Sequence, residues 1–250
     1  MSTASVRGAI RGMGHRANPA FAVGAVAVPA AALIYALTVG PIVHHIYVHV
    51  MAGVLWTGID LFMAMVLGPV LGSLAVEERA SVFRRFTPKM TFLMPSLALV
   101  TIVGGVTLAE RIGVFPHAQP WIALLTLATT VPALLLVGWQ FDAFDDPRWL
   151  AAFAVALLGG GAYLAVTASA FGMTSPTILL ALAIVTVLSV LGFGVLLPGE
   201  VRIYRQLASG DPDPNVISRI GMRNARLSGL QGLFQLAIVV VMVYLRWPAV

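Results

Sequence analysis

Residues 43–72 read VHHIYVHVMAGVLWTGIDLFMAMVLGPVLG, and Asp60 is the only Asp, Glu, Lys or Arg among them. An α-helix rises about 1.5 Å per residue, so about 20 apolar residues cross the roughly 30 Å of hydrocarbon in a bilayer. This stretch is long and apolar enough to do so. It predicts a transmembrane helix, and the rest of the chain has the same character.

The whole sequence is unusually apolar. Of its 250 residues, 59% are hydrophobic and only 10% are charged, whereas a soluble domain carries roughly 25% charged residues. Lipid must therefore be the solvent for most of the surface. The sequence predicts an all-α integral membrane protein, a single domain built as a bundle of about seven transmembrane helices. The predicted spans are residues 20–40, 43–72, 90–110, 121–140, 149–171, 177–199 and 227–246.

The basic residues predict the orientation of these helices. Cytoplasmic loops of membrane proteins carry an excess of Lys and Arg. With the N-terminus inside, thirteen of the 15 basic residues fall on the inner side, and only Arg111 and Arg246 fall outside. We expect a multi-pass protein of the cytoplasmic (inner or plasma) membrane, with its C-terminus outside. Residues 1–18 then form a basic inner tail, and the apolar run after them is expected to remain as a signal-anchor helix.

Composition excludes several classes of site. The chain has no cysteine, which rules out disulfides, thiolate-ligated iron–sulfur clusters, covalently attached c-type haem and thiol catalysis. The glycine clusters lie inside apolar stretches, so no nucleotide-binding loop is predicted. The net charge of +5 comes from short basic clusters between apolar stretches. That pattern is typical of segments at an anionic leaflet and not of a nucleic-acid interface.

A faint internal repeat relates two parts of the chain. Residues 66–69 (VLGP) close the second span, and residues 195–198 (VLLP) close the sixth. A basic segment follows each of them and leads into the next helix with paired cations four residues apart, Arg85 and Lys89 in one case, Arg219 and Arg223 in the other. The pattern indicates either a duplicated helical pair or a general likeness among inner segments.

The second span carries polar side chains on one face. His45, His49, Trp56 and Asp60 are spaced so that all four share a helical face. Polar groups in hydrocarbon are costly, so each is a functional candidate. A neutral imidazole binds haem iron through one nitrogen while the other donates to a carbonyl. The alternative for His44, His45 and His49 is hydrogen bonding within the helical bundle.

Two further sets of polar residues have open roles. Asp60 is a candidate proton-relay group with a catalytic role, a partner for a cation, or a neutral acid bonded to a neighbouring helix. In the last span, polar side chains recur on one face, where amides are typical of helix–helix packing in lipid: Asn224, Ser228, Gln231 and Gln235.

Residues 49–58 read HVMAGVLWTG, an H-x-x-A-G-x-x-W-x-G pattern. It resembles the first helix of a group that includes HemJ-type protoporphyrinogen oxidase, CopD-type copper-resistance proteins and the membrane domain of membrane-bound urate oxidases. Residues 84–90, followed by a helix with Gly104 and Gly105, are similar to the second element of the HemJ pattern. The similarity covers residues 43–110. It implies a small helical bundle in which a histidine at the His49 position ligates b-type haem, with copper handling as a second family activity.

These observations favour a membrane redox protein that binds haem b near the outer face through His49, with Trp56 beside it. It would act in electron transfer or as a haem-dependent oxidoreductase, and whether it is an enzyme stays open. The second axial position is left to His117, to a methionine or to no ligand. One alternative is a copper-handling or permease-like protein, with His45 and His49 as metal ligands and an inward path past Asp60. Another is a structural or assembly subunit, whose polar faces serve membrane or redox partner subunits.

Overall fold

The computed structural model describes residues 6–209 and 211–246, and the regular secondary structure in these ranges is helical. Seven of the helices, α2 to α8, are long and apolar enough to cross a membrane. This confirms the predicted all-α fold with seven spans. The remaining parts of the predicted inner tail and outer C-terminal end, residues 1–5 and 247–250, lie outside the described residues. The helices are α1 (Val6–Ala17), α2 (Pro19–Thr38), α3 (Ile42–Gly72), α4 (Val76–Arg111), α5 (Ala118–Phe141), α6 (Pro147–Thr167), α7 (Pro176–Ala208) and α8 (Pro214–Arg246).

The segments predicted as inner loops are mostly helical. The predicted spans 90–110 and 177–199 lie inside α4, which begins at Val76, and α7, which ends at Ala208. Hydropathy reports the part of a helix that lies in hydrocarbon, whereas a helix can continue into water beyond it. Glu77 and Glu78 lie in the first turn of α4, where acidic side chains stabilise a helix through its dipole. Residues 73–75 and 142–146 connect helices here without regular helical structure.

The predicted basic tail contains α1, which packs on the end of α7. The Arg16 guanidinium donates a hydrogen bond to the Leu207 carbonyl oxygen at 2.9 Å. A methyl group at Gly12 would overlap the Tyr204 hydroxyl, so the two helices are in close contact there. Helix α1 therefore covers one end of α7.

Helices α3 and α7 are each interrupted by a π-helical turn. The π segments are Met63–Leu67 and Gly192–Leu196, and a proline (Pro69 or Pro198) is the second residue after each. The ring of a proline inside a helix collides with the preceding turn and removes a hydrogen bond. One widened turn accommodates that loss, which is a common origin of π segments. Both helices accommodate a proline with a π turn, and this shared feature supports the interpretation that the helical pair is duplicated.

Contacts divide the chain into two units. Unit 1 comprises Met1–Gly104 and Gly199–Gly229, and unit 2 comprises Gly105–Pro198 and Leu230–Val250. Unit 1 contains a buried apolar cluster near the predicted inner side, which we call the inner core: Leu71, Ala80, Phe83, Ile203, Ile217 and Ile220. Unit 2 has a smaller buried cluster of Phe115, Ala118 and Ile178.

Candidate functional site

The polar face predicted for the second span is the buried face of α3. His45 is 1% exposed, Trp56 3% and Asp60 0%, and His49 is partly buried. The opposite face is apolar and exposed, as Val43 at 66% and Val54 at 59% show. Lipid therefore covers one side of the helix, while the histidines, the tryptophan and the carboxyl group point into unit 1.

Two histidines of α3 bind the backbone of α4. His45 Nε2 lies 3.0 Å from the Gly104 carbonyl oxygen, and His49 Nδ1 lies 2.9 Å from the Thr101 carbonyl oxygen. A carbonyl oxygen only accepts hydrogen bonds. The nitrogen facing it must therefore carry the proton, Nε2 in His45 and Nδ1 in His49.

The two tautomers give the two imidazoles different chemistry. In neutral His49, Nε2 is the nitrogen with the lone pair, and its ring is held by the bond from Nδ1 to a carbonyl. Metal-ligating histidines usually have this arrangement, because the outer hydrogen bond fixes the tautomer and raises the basicity of the ligating nitrogen. In His45 the bond to Gly104 makes Nε2 the donor and puts the lone pair on Nδ1. The two rings therefore differ in which nitrogen can act as a ligand.

Small residues bring α3 and α4 together at this level. A methyl group added at Gly53 would lie 3.4 Å from Thr101 Cγ2, and one at Gly104 would lie 3.5 Å from His49 Cβ. These are ordinary van der Waals distances, so a larger residue would touch its neighbour without a severe clash. Gly53 and Gly104 therefore mark the level at which the two helices lie close together and both imidazoles reach α4 carbonyl groups.

The other histidines of the predicted outer side have different surroundings. His44 is exposed, and its Nδ1 lies 2.8 Å from the Tyr35 hydroxyl. His117, in unit 2, immediately precedes α5 in a left-handed backbone conformation with φ 54°. Its Nδ1 lies 3.1 Å from the Ala170 carbonyl oxygen. That bond again makes Nδ1 the donor and leaves the lone pair of His117 on Nε2.

Glu200 is a functional candidate that the sequence did not reveal. It follows directly after the predicted span 177–199, so hydropathy placed it outside the membrane. In the structure α7 continues past it, and its carboxyl group lies beside the Thr91 side chain and near Asp60. The signal available in the sequence was an acidic residue right after Pro198 and Gly199, at the end of an apolar run.

Asp60 and Glu200 are two carboxyl groups near one another within unit 1, and we refer to them as the carboxyl pair. Each lies in a helix long and apolar enough to span the membrane, and they are close enough for their charges to interact. Ionisable residues inside membrane segments mark proton relays and cation pathways. The pair therefore adds a second candidate centre, separate along α3 from the two histidines.

The polar stripe predicted for the last span is also buried. Ser228 is 9% exposed, and Gln231 and Gln235 are each 2% exposed. In unit 2 the Gln231 amide lies beside Gly192, the first residue of the second π segment. In unit 1 the Asn224 amide lies against Gly199, where an added methyl group would be 2.6 Å from Oδ1. These positions fit the predicted helix-packing role.

Within residues 6–209 and 211–246, no group of three His, Cys, Asp or Glu side chains is placed to hold a metal ion. No known protein family matches the chain, and no curated protein or solved structure is significantly similar to it. The likeness of residues 49–58 to haem and copper membrane proteins therefore stays a prediction, and the case for function rests on the geometry of the side chains.

Proposed function

We propose that this chain is a membrane redox protein of a cytoplasmic membrane that binds b-type haem through His49. The observation that carries the proposal is the bond from His49 Nδ1 to the Thr101 carbonyl oxygen, which leaves the lone pair of the neutral ring on Nε2. Haem suits a site with few protein ligands, because the macrocycle supplies the equatorial nitrogens and the protein adds only axial ligands. Bound haem would supply one-electron transfer.

The side chains around His49 have definable tasks in such a site. Thr101 orients the imidazole through its carbonyl group, and its hydroxyl is engaged separately, since it donates to the Leu97 carbonyl oxygen at 2.7 Å. Gly104 keeps the two helices close. Trp56, buried on the same face of α3, is a large apolar neighbour for a ring system. His117 and the methionines stay as alternatives for the second axial position.

The test is the absorption spectrum of protein purified from haem-replete cells. His49→Ala should remove or strongly shift the Soret band, because an iron–imidazole bond has no local substitute in apolar surroundings. The matched control is His44→Ala. Its ring is exposed on another face of the same helix and bonds to Tyr35, so its loss should leave the spectrum nearly unchanged.

Three outcomes would contradict the haem proposal. They are wild-type protein without a Soret band, an unchanged spectrum in His49→Ala, and equal spectral loss in both variants. A glycine variant at position 49 sharpens the test. Free imidazole should restore the band in His49→Gly if the missing group is the ligand itself, whereas it should not restore a misfolded protein.

A second candidate function rests on the carboxyl pair. We infer from Asp60 and Glu200 that a copper-handling or permease-like activity is the main alternative, since a cation or proton moving inward past the histidines would meet this pair. Metal analysis of protein purified without chelator tests it. Asp60→Asn and Glu200→Gln should each abolish bound metal or transport while leaving expression intact. Retention of full activity in both variants would contradict it.

A further inference from the structure

Unit 1 contains a cavity at its predicted inner side, at the junction of α3, α4 and α8. Its volume is about 470 Å³, within the range of roughly 300–1,000 Å³ typical of small-ligand pockets. The α8 residues follow helical spacing along one face, opposite the end of α3 and the first turn of α4. The lining residues are Gly72, Arg79, Arg219, Met222, Arg223 and Arg226.

The charge of this cavity is entirely positive. Four of its lining residues are arginines and none is acidic, and a fifth cation, Arg202, is close enough to repel Arg223. Over the part of the chain that the structure describes, none of the four lining arginines forms an ion pair with a carboxylate. Like charges held this close in a partly enclosed space repel one another unless an anion lies between them.

Arg79 builds the wall of the cavity. Its guanidinium donates to the carbonyl oxygens of Leu71 at 2.8 Å and Leu74 at 2.9 Å, and to the Ser218 hydroxyl at 3.2 Å. It also reaches the Gly72 carbonyl oxygen at 3.3 Å. Arg79 thus caps the end of α3 and ties it to α8, and it contributes positive charge while its donors are occupied.

The remaining arginines have donors to offer. Arg223 is partly buried, and its Nε is enclosed without a hydrogen-bond partner among the described residues. Its Nη2 has only a 3.5 Å contact with Asn224 Oδ1. Arg219 and Arg226 are exposed at the rim, one helical turn to either side of Arg223. Planar guanidinium groups bind phosphate through paired hydrogen bonds.

The cavity lies at the level of the lipid headgroups. The apolar part of α8 begins directly after Arg226, and the predicted orientation puts that boundary at the inner leaflet. This leaflet carries anionic phospholipids that attract basic segments. Both a lipid headgroup and a soluble phosphate compound on the inner side could present the same chemical group to the three arginines.

We infer that this cavity is a binding site for a phosphate group, held by Arg219, Arg223 and Arg226 against the wall formed by Arg79. The site is separate from the histidines of α3, and it does not depend on the haem proposal. Arg223 contributes the deep donor, while the two rim arginines close over the anion. The bound phosphate offsets part of the positive charge of the cluster.

The experiment is a lipid titration of the purified full-length protein, followed by native mass spectrometry. The probe is phosphatidylglycerol, which has a net negative charge, with zwitterionic phosphatidylcholine as the reference of zero net charge. Removing two rim charges in Arg219→Gln/Arg226→Gln should weaken phosphatidylglycerol binding roughly fivefold per arginine, or roughly thirtyfold for the pair. The matched control is Arg85→Gln/Lys89→Gln. It removes two exposed cations at the corresponding place in α4, outside the cavity, and should change binding little.

A second arm distinguishes the sources of phosphate. Inorganic pyrophosphate is added to protein in neutral detergent without lipid. Binding of pyrophosphate that the rim variant loses indicates a soluble phosphate compound, and binding of phosphatidylglycerol alone indicates a headgroup. Both results support the site.

Failure to bind either probe, or equal loss in the rim variant and its control, would overturn the proposal. Arg223→Lys keeps the charge but not the planar fork, and it should weaken binding more than Arg85→Lys does. That comparison decides the matter if the double variant does not fold.

Discussion

Helices α3 and α7 both contain a π segment followed by a proline, and superposing these segments along the sequence aligns the two helices residue by residue. The aligned positions are His45 with Thr174, His49 with Ile178, Ala52 with Ala181, and Asp60 with Ser189. Burial follows the alignment at three of these four pairs, while His49 is only partly buried and Ile178 is 3% exposed. In α7, Ser189 is 7% exposed and Ala181 6%, and Thr174, two residues before α7 begins, is 7% exposed. Burial differs elsewhere, since Ile184 is 7% exposed and the aligned Leu55 is 50% exposed. The two helices therefore share part of a buried face and differ in what they place there.

The difference between the buried side chains of α3 and α7 shows which residues this helix architecture requires. Before its π segment, the buried face of α7 is formed by apolar side chains and the Ser189 hydroxyl, and this suffices for a helix that leads into a π turn in a membrane protein. The imidazoles and the carboxyl group of α3 are consequently not needed to build such a helix. Costly polar groups that the architecture does not need are the expected mark of a functional site.

Helices α4 and α8 extend the comparison. Aligning Arg85 and Lys89 with Arg219 and Arg223 places Phe83 at Ile217 and Thr87 at Gly221. Phe83 is 2% exposed and Ile217 0%, and both belong to the inner core. The large ring on one helix is matched by the missing side chain on the other, because a methyl group at Gly221 would lie 2.4 Å from Phe83 Cε2.

The largest effect on stability is expected from Gly221→Ala. The added methyl group has no space beside the buried Phe83 ring, and overpacking a core costs typically 1–3 kcal/mol, so we expect a loss of about 3 kcal/mol. Thermal unfolding in detergent measures it. The control is Gly161→Ala in α6, where no atom lies within 4 Å of the added group. That variant should be neutral or stabilising, since alanine has the better helix propensity.

The double variant Phe83→Leu/Gly221→Ala checks the cause. A smaller side chain at position 83 should restore part of the stability, because the two changes act on one contact. If the losses in free energy of unfolding are strictly additive, the Phe83 ring and Gly221 are not complementary. The correspondence between α4 and α8 would then lose its support.

The aligned pair Asp60 and Ser189 gives the next largest effect. Asp60→Ala removes a fully buried polar group from unit 1 and leaves its neighbours without their interaction, at a cost of about 2 kcal/mol. Ser189→Ala removes one hydroxyl, and a serine hydroxyl in a helix can bond within its own helix, so we expect a loss of less than about 1 kcal/mol. Melting temperatures of both variants in detergent give the comparison.

Asp60→Asn separates structure from chemistry at the same position. The amide keeps the shape and polarity, so the fold should persist. If Asp60 moves protons or cations, turnover should be lost while expression is unchanged. Full activity in Asp60→Asn would exclude a relay, and an equal cost for Ser189→Ala and Asp60→Ala would remove the contrast between the two helices.

The sequence predicted the membrane spans, the polar face of α3 and the buried stripe of α8, because each depends on spacing within one helix. It did not predict that His45 and His49 present different nitrogens, since this depends on which α4 carbonyl each ring meets. Glu200 was missed for a related reason. Hydropathy marks the edge of the hydrocarbon, and a helix that continues beyond it brings further residues to the neighbouring helices.

The roles of the arginines around the inner cavity could not be predicted from the sequence for the same reason. The basic residues near α4 and α8 were predicted at the inner face, but Lys/Arg counting treats them alike. In the structure Arg79 turns onto the end of α3, Arg223 turns inward, and Arg85 stays exposed. The choice follows from which backbone carbonyl groups lie nearby, and that is a property of tertiary packing.

The smallest effect is expected from the two prolines after the π segments. In an uninterrupted helix a proline costs about 3 kcal/mol relative to alanine, but here the widened turn already accommodates the ring. Conversion to a regular α-helix would rotate the Asp60 end of α3 by about 100° relative to Leu71, and both residues are buried. Packing should therefore keep the π turn in Pro69→Ala, and likewise in Pro198→Ala, so each substitution should change the free energy of unfolding by less than about 1 kcal/mol. Unfolding measurements on the two proline variants test this. The spectrum of His49→Ala is also recorded in the Pro69→Ala background, as a check that the register of α3 is unchanged. A change of several kcal/mol at one proline and none at the other would mean that the two π turns have different origins, and the repeat would then be limited to sequence.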